Sequence, residues 1–334
     1  MALQLRIKPL MPPPFAVTVF RILVTLLLFT LLLRLVDFDQ LVQVLETADL
    51  GLILGSFVIL LLRLPFMGWR WHLILNHQGY QLSTAYLTKV TVVSVFFSLF
   101  LPTGSGGDIV RGIYLARGNI EPRATVTSIV FERFVGLFTL LAIAAPSAGI
   151  LAFWYPKYRG FALTIFALVG CTALGLLVLN RLSGWLTPLG TGGRPLGRFI
   201  DNIRLGLQEM IELARQCTLI TQVVVLTLLF QAVGIYSVYL LGLSLQADLD
   251  LVFYVVLVPI VWLAMMLPIS IGGLGVREGA FVLLFSQVGM SGELALALSL
   301  LVLALTVAQS LLGGIVFLLD RTGSAPDRVV SRND

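Results

Sequence analysis

The chain has 334 residues, 58% of them hydrophobic and only 12% charged, with a net charge of +5 at pH 7 and a mean hydropathy of +0.99. A water-soluble domain with so few charges would expose large apolar patches and aggregate, so the composition is that of an integral membrane protein. Two cysteines exclude a disulfide framework.

In chain order, residues 1–14 form a short N-terminal segment carrying Arg6 and Lys8. The apolar run 15–33 is long enough to span hydrocarbon, and no small-residue cleavage site follows it before the acidic stretch 37–49, so it is not a cleavable signal. The run 50–62 is short alone but continues as helix past Arg63 towards Asn76. His72 and His77 lie about one helical turn apart without a third ligand, so neither a metal nor another cofactor is expected. Trp69, Trp71, Trp154 and Tyr155 read as an interfacial aromatic belt.

The most informative feature is a phrase written twice inside apolar sequence. Residues 101–111 read LPTGSGGDIVR and residues 267–277 read LPISIGGLGVR. Proline removes a backbone donor and paired glycines disfavour helix, so each copy should interrupt a membrane helix. Freed backbone at membrane depth is tolerated only inside protein or beside water. Broken helices at corresponding places in two halves point to a transporter's substrate site.

The runs 124–153, 160–179, 219–243 and 294–319 are further spans. Between 160–179 and 219–243 comes a connector, 181–216, whose second part places Leu196, Phe199, Ile200, Ile203, Leu207, Met210, Ile211 and Ala214 on one face. It reads as an amphipathic helix on the cytoplasmic surface, with arginines near anionic headgroups.

Basic residues cluster at Arg6/Lys8, Arg63/Arg70/Lys89, Arg111/Arg117/Arg123, from Arg181 to Arg215, and at Arg321/Arg328/Arg332. The loops holding Asp37 to Asp49, Asp248/Asp250 and Glu293 are acidic. Positive-inside reasoning puts both termini in the cytoplasm of a multi-pass protein of the cell (inner) membrane. It also makes 84–118 a re-entrant hairpin entering from the cytoplasm and 251–290 one entering from outside. The expected fold is an all-α integral membrane protein with an inverted-topology repeat, about six full spans and two re-entrant helical hairpins. The first repeat is 15–159, the second 160–319, and 320–334 is a cytoplasmic tail.

Arg111 and Arg277 are the leading substrate-binding candidates, because an arginine at bilayer depth needs a cavity or a partner and its fork suits phosphate or carboxylate. Gly106 and Gly107, and Gly272 and Gly273, precede them and could open helices whose free N–H groups attract anions. Asp108, Glu132, Arg133 and Glu278 complete the candidate set. Internal pairing is the competing role: Arg111 with Asp108 or Glu132, Arg277 with Glu278. Glu132 and Arg133 are adjacent on a helix and point about 100° apart, so they should find separate partners. Glu132 or Asp108 is also available to carry a coupling proton. Gln231, Tyr236, Tyr239 and Gln309 are expected to make interhelical hydrogen bonds.

Arg70–Trp71, FLPTGSGGDIVRG, FERFVG and LPISIGGLGVREG together resemble the flippase-like membrane domain of lysylphosphatidylglycerol synthase/multiple-peptide-resistance proteins. The resemblance covers nearly the whole chain and implies lipid translocation between leaflets. In fused members a separate soluble domain makes the aminoacylated lipid; the 334 residues hold no such domain, so the chain resembles a stand-alone member and synthase activity is not expected.

The expected function is movement of an anionic or zwitterionic phospholipid, glycolipid or isoprenoid-linked lipid, with no catalytic residue. No P-loop is present, so this chain should not hydrolyse ATP. An intramembrane enzyme such as a polyprenyl-pyrophosphate phosphatase, or a transporter of a small anionic solute, are the alternatives. Expected partners are the membrane lipid itself, a second copy of the chain and a lipid-synthesising enzyme; nothing points to nucleic acid.

Overall fold

The computed structural model describes residues 38–100, 106–160, 162–167, 169–171, 174, 195–266, 270, 273–320 and 330–331. The first expected span, both proline-containing motif tips with Gly272, and the opening of the connector lie outside the described residues.

The elements are α1 (Phe38–Glu46), α2 (Leu50–Leu61), α3 (Arg63–His77), β1 (Tyr80–Gln81), α4 (Thr84–Phe100), α5 (Gly106–Arg117), α6 (Pro122–Trp154), α7 (Pro195–Arg215), α8 (Cys217–Ser244), α9 (Leu251–Met265), α10 (Val276–Ser286), α11 (Gly292–Leu319) and β2 (Val330–Ser331). Among the described residues, four helical stretches are long and apolar enough to cross a membrane: Leu50–His77, Pro122–Trp154, Cys217–Ser244 and Gly292–Leu319. The first joins α2 to α3 through a turn at Leu62, as the sequence indicated. Thr84–Phe100 and Leu251–Met265 are shorter and stop at the repeated motif.

Local chemistry explains the helix starts. The Asp49 carboxylate accepts the Gly51 and Leu52 N–H groups at 2.7 and 3.1 Å, capping α2. Pro122 sits in the first turn of α6, where no N–H is missed. The Ser291 hydroxyl accepts from Leu294 N and caps α11.

Packing pairs match between the halves. α4 packs on α5 and α9 on α10; α3 meets α4 and α8 meets α9; α5 meets α6 and α10 meets α11. The contacts between halves correspond too, since α4 packs against α11 while α9 packs against α6. Small residues allow these approaches. A Cβ on Gly313 would collide with the Val92 carbonyl oxygen, so α11 and α4 touch backbone to backbone there. Ser56 and Ser237 hydroxyls lie 2.8 Å apart where α2 crosses α8.

Three readings of the sequence need correction. The connector helix α7 packs Met210 of the expected face inward but not Ala214. Ala214 is exposed, whereas Leu213 is buried with Ile74, Phe131, Val135, Leu219 and Val223. Docking on α6 and α8 turns the helix, and Glu209 pairs with Arg123 at 2.7 Å. Trp71 is not interfacial but fully buried, because its indole N–H reaches Ser128 Oγ at 3.0 Å. Arg70, counted among the basic clusters that set the orientation, is not a surface charge. It is buried within the Leu50–His77 stretch, as is Arg111 in α5.

Candidate functional site

The site forms where α3, α5, α6 and α8 converge. Asp108 and Arg111 are three residues apart on α5 and share a face. Opposite them, Glu132 and Arg133 on α6 diverge as adjacent helical residues must.

Glu132 is the hub. It accepts from Arg70 Nε at 3.0 Å and from Arg70 Nη2 on one oxygen, and from Arg111 Nη2 at 2.7 Å on the other. Arg70, Arg111 and Glu132 are all buried. Arg70 also donates to Thr227 Oγ1 at 3.1 Å, tying α8 to the cluster. Arg133, on the outer side, donates to Asp108 Oδ2 through Nε at 3.0 Å and through Nη2. Asp108 Oδ1 lies 3.8 Å from Arg111 Nη1.

Aromatic rings replace water around these cations. The Arg111 guanidinium stacks 4.0 Å from the Trp71 ring centre. That of Arg63 lies 3.9 Å from the Phe230 ring and 5.2 Å from Trp262. The Nε atoms of Arg63 and Arg111 are buried and have no hydrogen-bond partner among the described residues. A cavity of about 340 Å³ opens beside the cluster, lined by Arg63, Arg70, Asp108, Arg111, Glu132 and Arg133 together with Gly107, Phe230 and Trp262. Preorganised guanidinium groups on a cavity wall bind oxyanions.

Gly106 and Gly107 open α5, and both are buried. Gly107 is required for packing: a Cβ there would lie 2.6 Å from the Ser94 carbonyl oxygen and strike Ser98 Oγ. The close approach it permits is to helix α4.

The second motif builds a different environment. Arg277 donates through Nε to Glu278 Oε1 at 3.0 Å and through Nη2 to the same oxygen. Glu278 Oε2 accepts the Gly275 N–H at 2.6 Å, so the carboxylate caps α10 and occupies its N-terminus. Adjacent residues do pair here, because the long arginine side chain folds back over the first turn. Gly273 and Gly275 take φ values of +76° and +80°, which only glycine adopts without strain.

Arg277 lines a second, mostly apolar cavity of about 360 Å³. Arg63 and Trp262 line both cavities. Gly234 makes room for them, since a Cβ there would lie 2.8 Å from the Trp262 ring and 2.9 Å from Arg63 Cζ.

The structure thus brings Arg111, Asp108, Glu132, Arg133 and Gly107 together and sets Arg277 and Glu278 apart. Arg63, Trp262, Phe230 and Thr227 were not singled out from sequence, and Arg70 was noted only as a basic residue and in a motif. The signal for Arg63 and Arg70 was there: two arginines seven residues apart inside one spanning stretch share a helix face. Gln231 donates to Thr139 Oγ1 at 2.8 Å, and Gln309 to the Leu60 carbonyl at 3.3 Å, both between helices as expected. His72 Nδ1 lies 2.6 Å from the Leu82 carbonyl oxygen.

Glycosyltransferase AglD of Haloferax volcanii is 28% identical over 123 residues, which are 37% of this chain and 20% of that protein. The chain therefore spans only about a fifth of that relative's length. Nearly the whole of the chain, residues 18–313, matches the Lysylphosphatidylglycerol synthase TM region, and the protein is a multi-pass membrane protein belonging to that family.

Proposed function

We propose that the protein moves a lipid between membrane leaflets, holding an anionic or zwitterionic headgroup in the Arg111 cavity while its tails stay in hydrocarbon. The headgroup belongs to a phospholipid, glycolipid or isoprenoid-linked lipid. The observation that carries this reading is the cluster of arginines lining a cavity among membrane-crossing helices. Charges so placed are costly unless a polar substrate or partner meets them. Membership in a family named for the membrane region of a lipid synthase supports a lipid as the substrate.

The proposed architecture is an inverted repeat, 15–159 and 160–319, with hairpins 84–118 and 251–290 entering from opposite faces and both termini in the cytoplasm of the cell (inner) membrane. The matched packing pairs support the repeat. With Arg63, Arg70 and Arg111 discounted as cavity residues, the remaining basic loop residues still oppose the acidic loops, and only Lys157 and Arg159 spoil the contrast. After Cys171 and Cys217 are replaced by serine, Glu121→Cys should react with an impermeant maleimide only from the cytoplasmic side, and Gln287→Cys only from outside. Labelling of both from one side would sink the inverted arrangement.

Transport is tested with purified protein in liposomes, by leaflet accessibility of labelled lipid followed by chromatography of the recovered lipid. The lipid should move unchanged. Arg111→Lys keeps the charge but loses the fork, and one charge-assisted hydrogen bond is worth ~1.5–3 kcal/mol, so movement should slow about tenfold or more. Unslowed movement would remove Arg111 from the substrate path.

The name of the Haloferax volcanii relative raises an enzymatic alternative. General base catalysis needs an available carboxylate, and both Glu132 and Asp108 are engaged by arginines. A chemically altered lipid on the chromatogram would decide for an enzyme.

A further inference from the structure

The charges lining the Arg111 cavity do not balance. Among the described residues, four arginines (Arg63, Arg70, Arg111 and Arg133) face two carboxylates (Asp108 and Glu132), leaving two positive charges in excess. Histidine and lysine are absent from the lining among the described residues. Asp108 and Arg133 pair on the outer side, so the excess lies on the inner side, where Arg70 and Arg111 share Glu132 and Arg63 lines the same cavity. Among the described residues, Arg63 has no carboxylate within ion-pair distance; its contacts are the Phe230 and Trp262 rings. Two buried guanidinium donors, Arg63 Nε and Arg111 Nε, have no hydrogen-bond partner among the described residues.

Building on the lipid-transport reading, we propose that the cavity is a dianion site, taking a phosphomonoester or diphosphate headgroup with Arg63 and Arg111 as the donors that receive it. Such a headgroup matches the charge excess. A phosphomonoester carries about −1.5 to −2 at neutral pH, a phosphodiester brings one negative charge, and a zwitterion brings none. An aminoacylated, cationic headgroup is disfavoured by like charge. The cavity, about 340 Å³, is at the small end of the ~300–1,000 Å³ range of ligand sites, which suits a compact phosphate group rather than an oligosaccharide. Arg63 is the selecting residue. Arg70, Arg111 and Arg133 are each partly neutralised by protein carboxylates, whereas Arg63 awaits the second negative charge.

The test uses the full-length protein in detergent micelles and measures binding of farnesyl diphosphate, dioctanoyl phosphatidic acid, dioctanoyl phosphatidylglycerol, dioctanoyl phosphatidylethanolamine and inorganic pyrophosphate. The two dianionic lipids should bind about tenfold or more tightly than the other two lipids. Arg63→Met keeps the apolar stem against Phe230 and removes the charge. It should erase this preference while leaving weak phosphatidylglycerol binding. Equal binding of all four lipids, or a preference that survives in Arg63→Met, overturns the proposal. If the methionine variant fails to fold, the wild-type panel decides by itself. Pyrophosphate binding as tightly as farnesyl diphosphate keeps the dianion site and overturns the lipid as its source. Selective binding without movement in liposomes keeps the site and sinks the transport reading; movement of every lipid at one rate with no binding preference does the reverse.

Discussion

Glu132→Gln is expected to be the most damaging single substitution in this protein. It keeps the shape of the side chain and removes the negative charge that Arg70 and Arg111 share inside the helix bundle. Breaking a buried ion pair from one side typically costs ~3–5 kcal/mol, because the partner is left charged and desolvated. Here two partners are left. The amide can still accept hydrogen bonds, but it cannot offset either guanidinium, and the join of α3, α5 and α6 should loosen together. Thermal unfolding in detergent checks this: the midpoint should fall by several degrees or the protein should fail to accumulate. The opposite result is equally informative. An unchanged midpoint with tighter phosphate-lipid binding would mean that Glu132 competes with the substrate for the arginines rather than holding the helices.

The second large effect is expected at Gly107. A valine there must push against the Ser94 carbonyl oxygen, 2.6 Å from the position of its Cβ, and against the Ser98 hydroxyl. A backbone atom cannot rotate away as a side chain can, so α5 must shift from α4. Overpacking of this kind costs ~1–3 kcal/mol. The functional loss should exceed the stability loss, because α5 carries Asp108 and Arg111 and any tilt displaces both from Glu132 and Arg133. Lipid movement should therefore be abolished in a variant that still folds. Gly107→Ala should show a milder form of both defects. Valine at Gly55, which lines neither cavity and where a Cβ would meet nothing within 4 Å, serves as the control. Normal transport by Gly107→Val would show that the α4–α5 contact does not position the arginine.

Much of the architecture was legible along the chain because membrane helices are local. Twenty apolar residues must form helix whatever surrounds them, since the backbone has no other way to satisfy its hydrogen bonds in hydrocarbon. The four long helices, the stops at the repeated motif and the continuation through Arg63 follow from that rule. Arg111, Asp108, Glu132 and Arg133 were also recognisable, because ionisable residues are rare in such segments and stand out.

What was not legible depended on rotation and docking. Periodicity gives a helix an apolar face but cannot say which neighbour claims it, so α7 turned to bury Leu213 instead of Ala214 once it met α6 and α8. Trp71 looked like part of an interfacial aromatic belt, and only the packing of α3 on α6 sent its indole inward to Ser128. The likeness of the two motifs suggested two equivalent arginines. Instead, one residue's difference decided their environments, for Glu278 directly follows Arg277 and neutralises it, whereas the residue after Arg111 is Gly112. The sequence by itself determined that this protein lives in the membrane, that its motif is duplicated, and that charged groups stand at the breaks, because each of these is a property of neighbours along the chain. Only the tertiary structure decided that Glu132 holds both Arg70 and Arg111 and that Arg63 stands between two cavities facing aromatic rings rather than a carboxylate. Those pairings join residues 21 to 199 positions apart, and the distances between them exist only after the helices have packed.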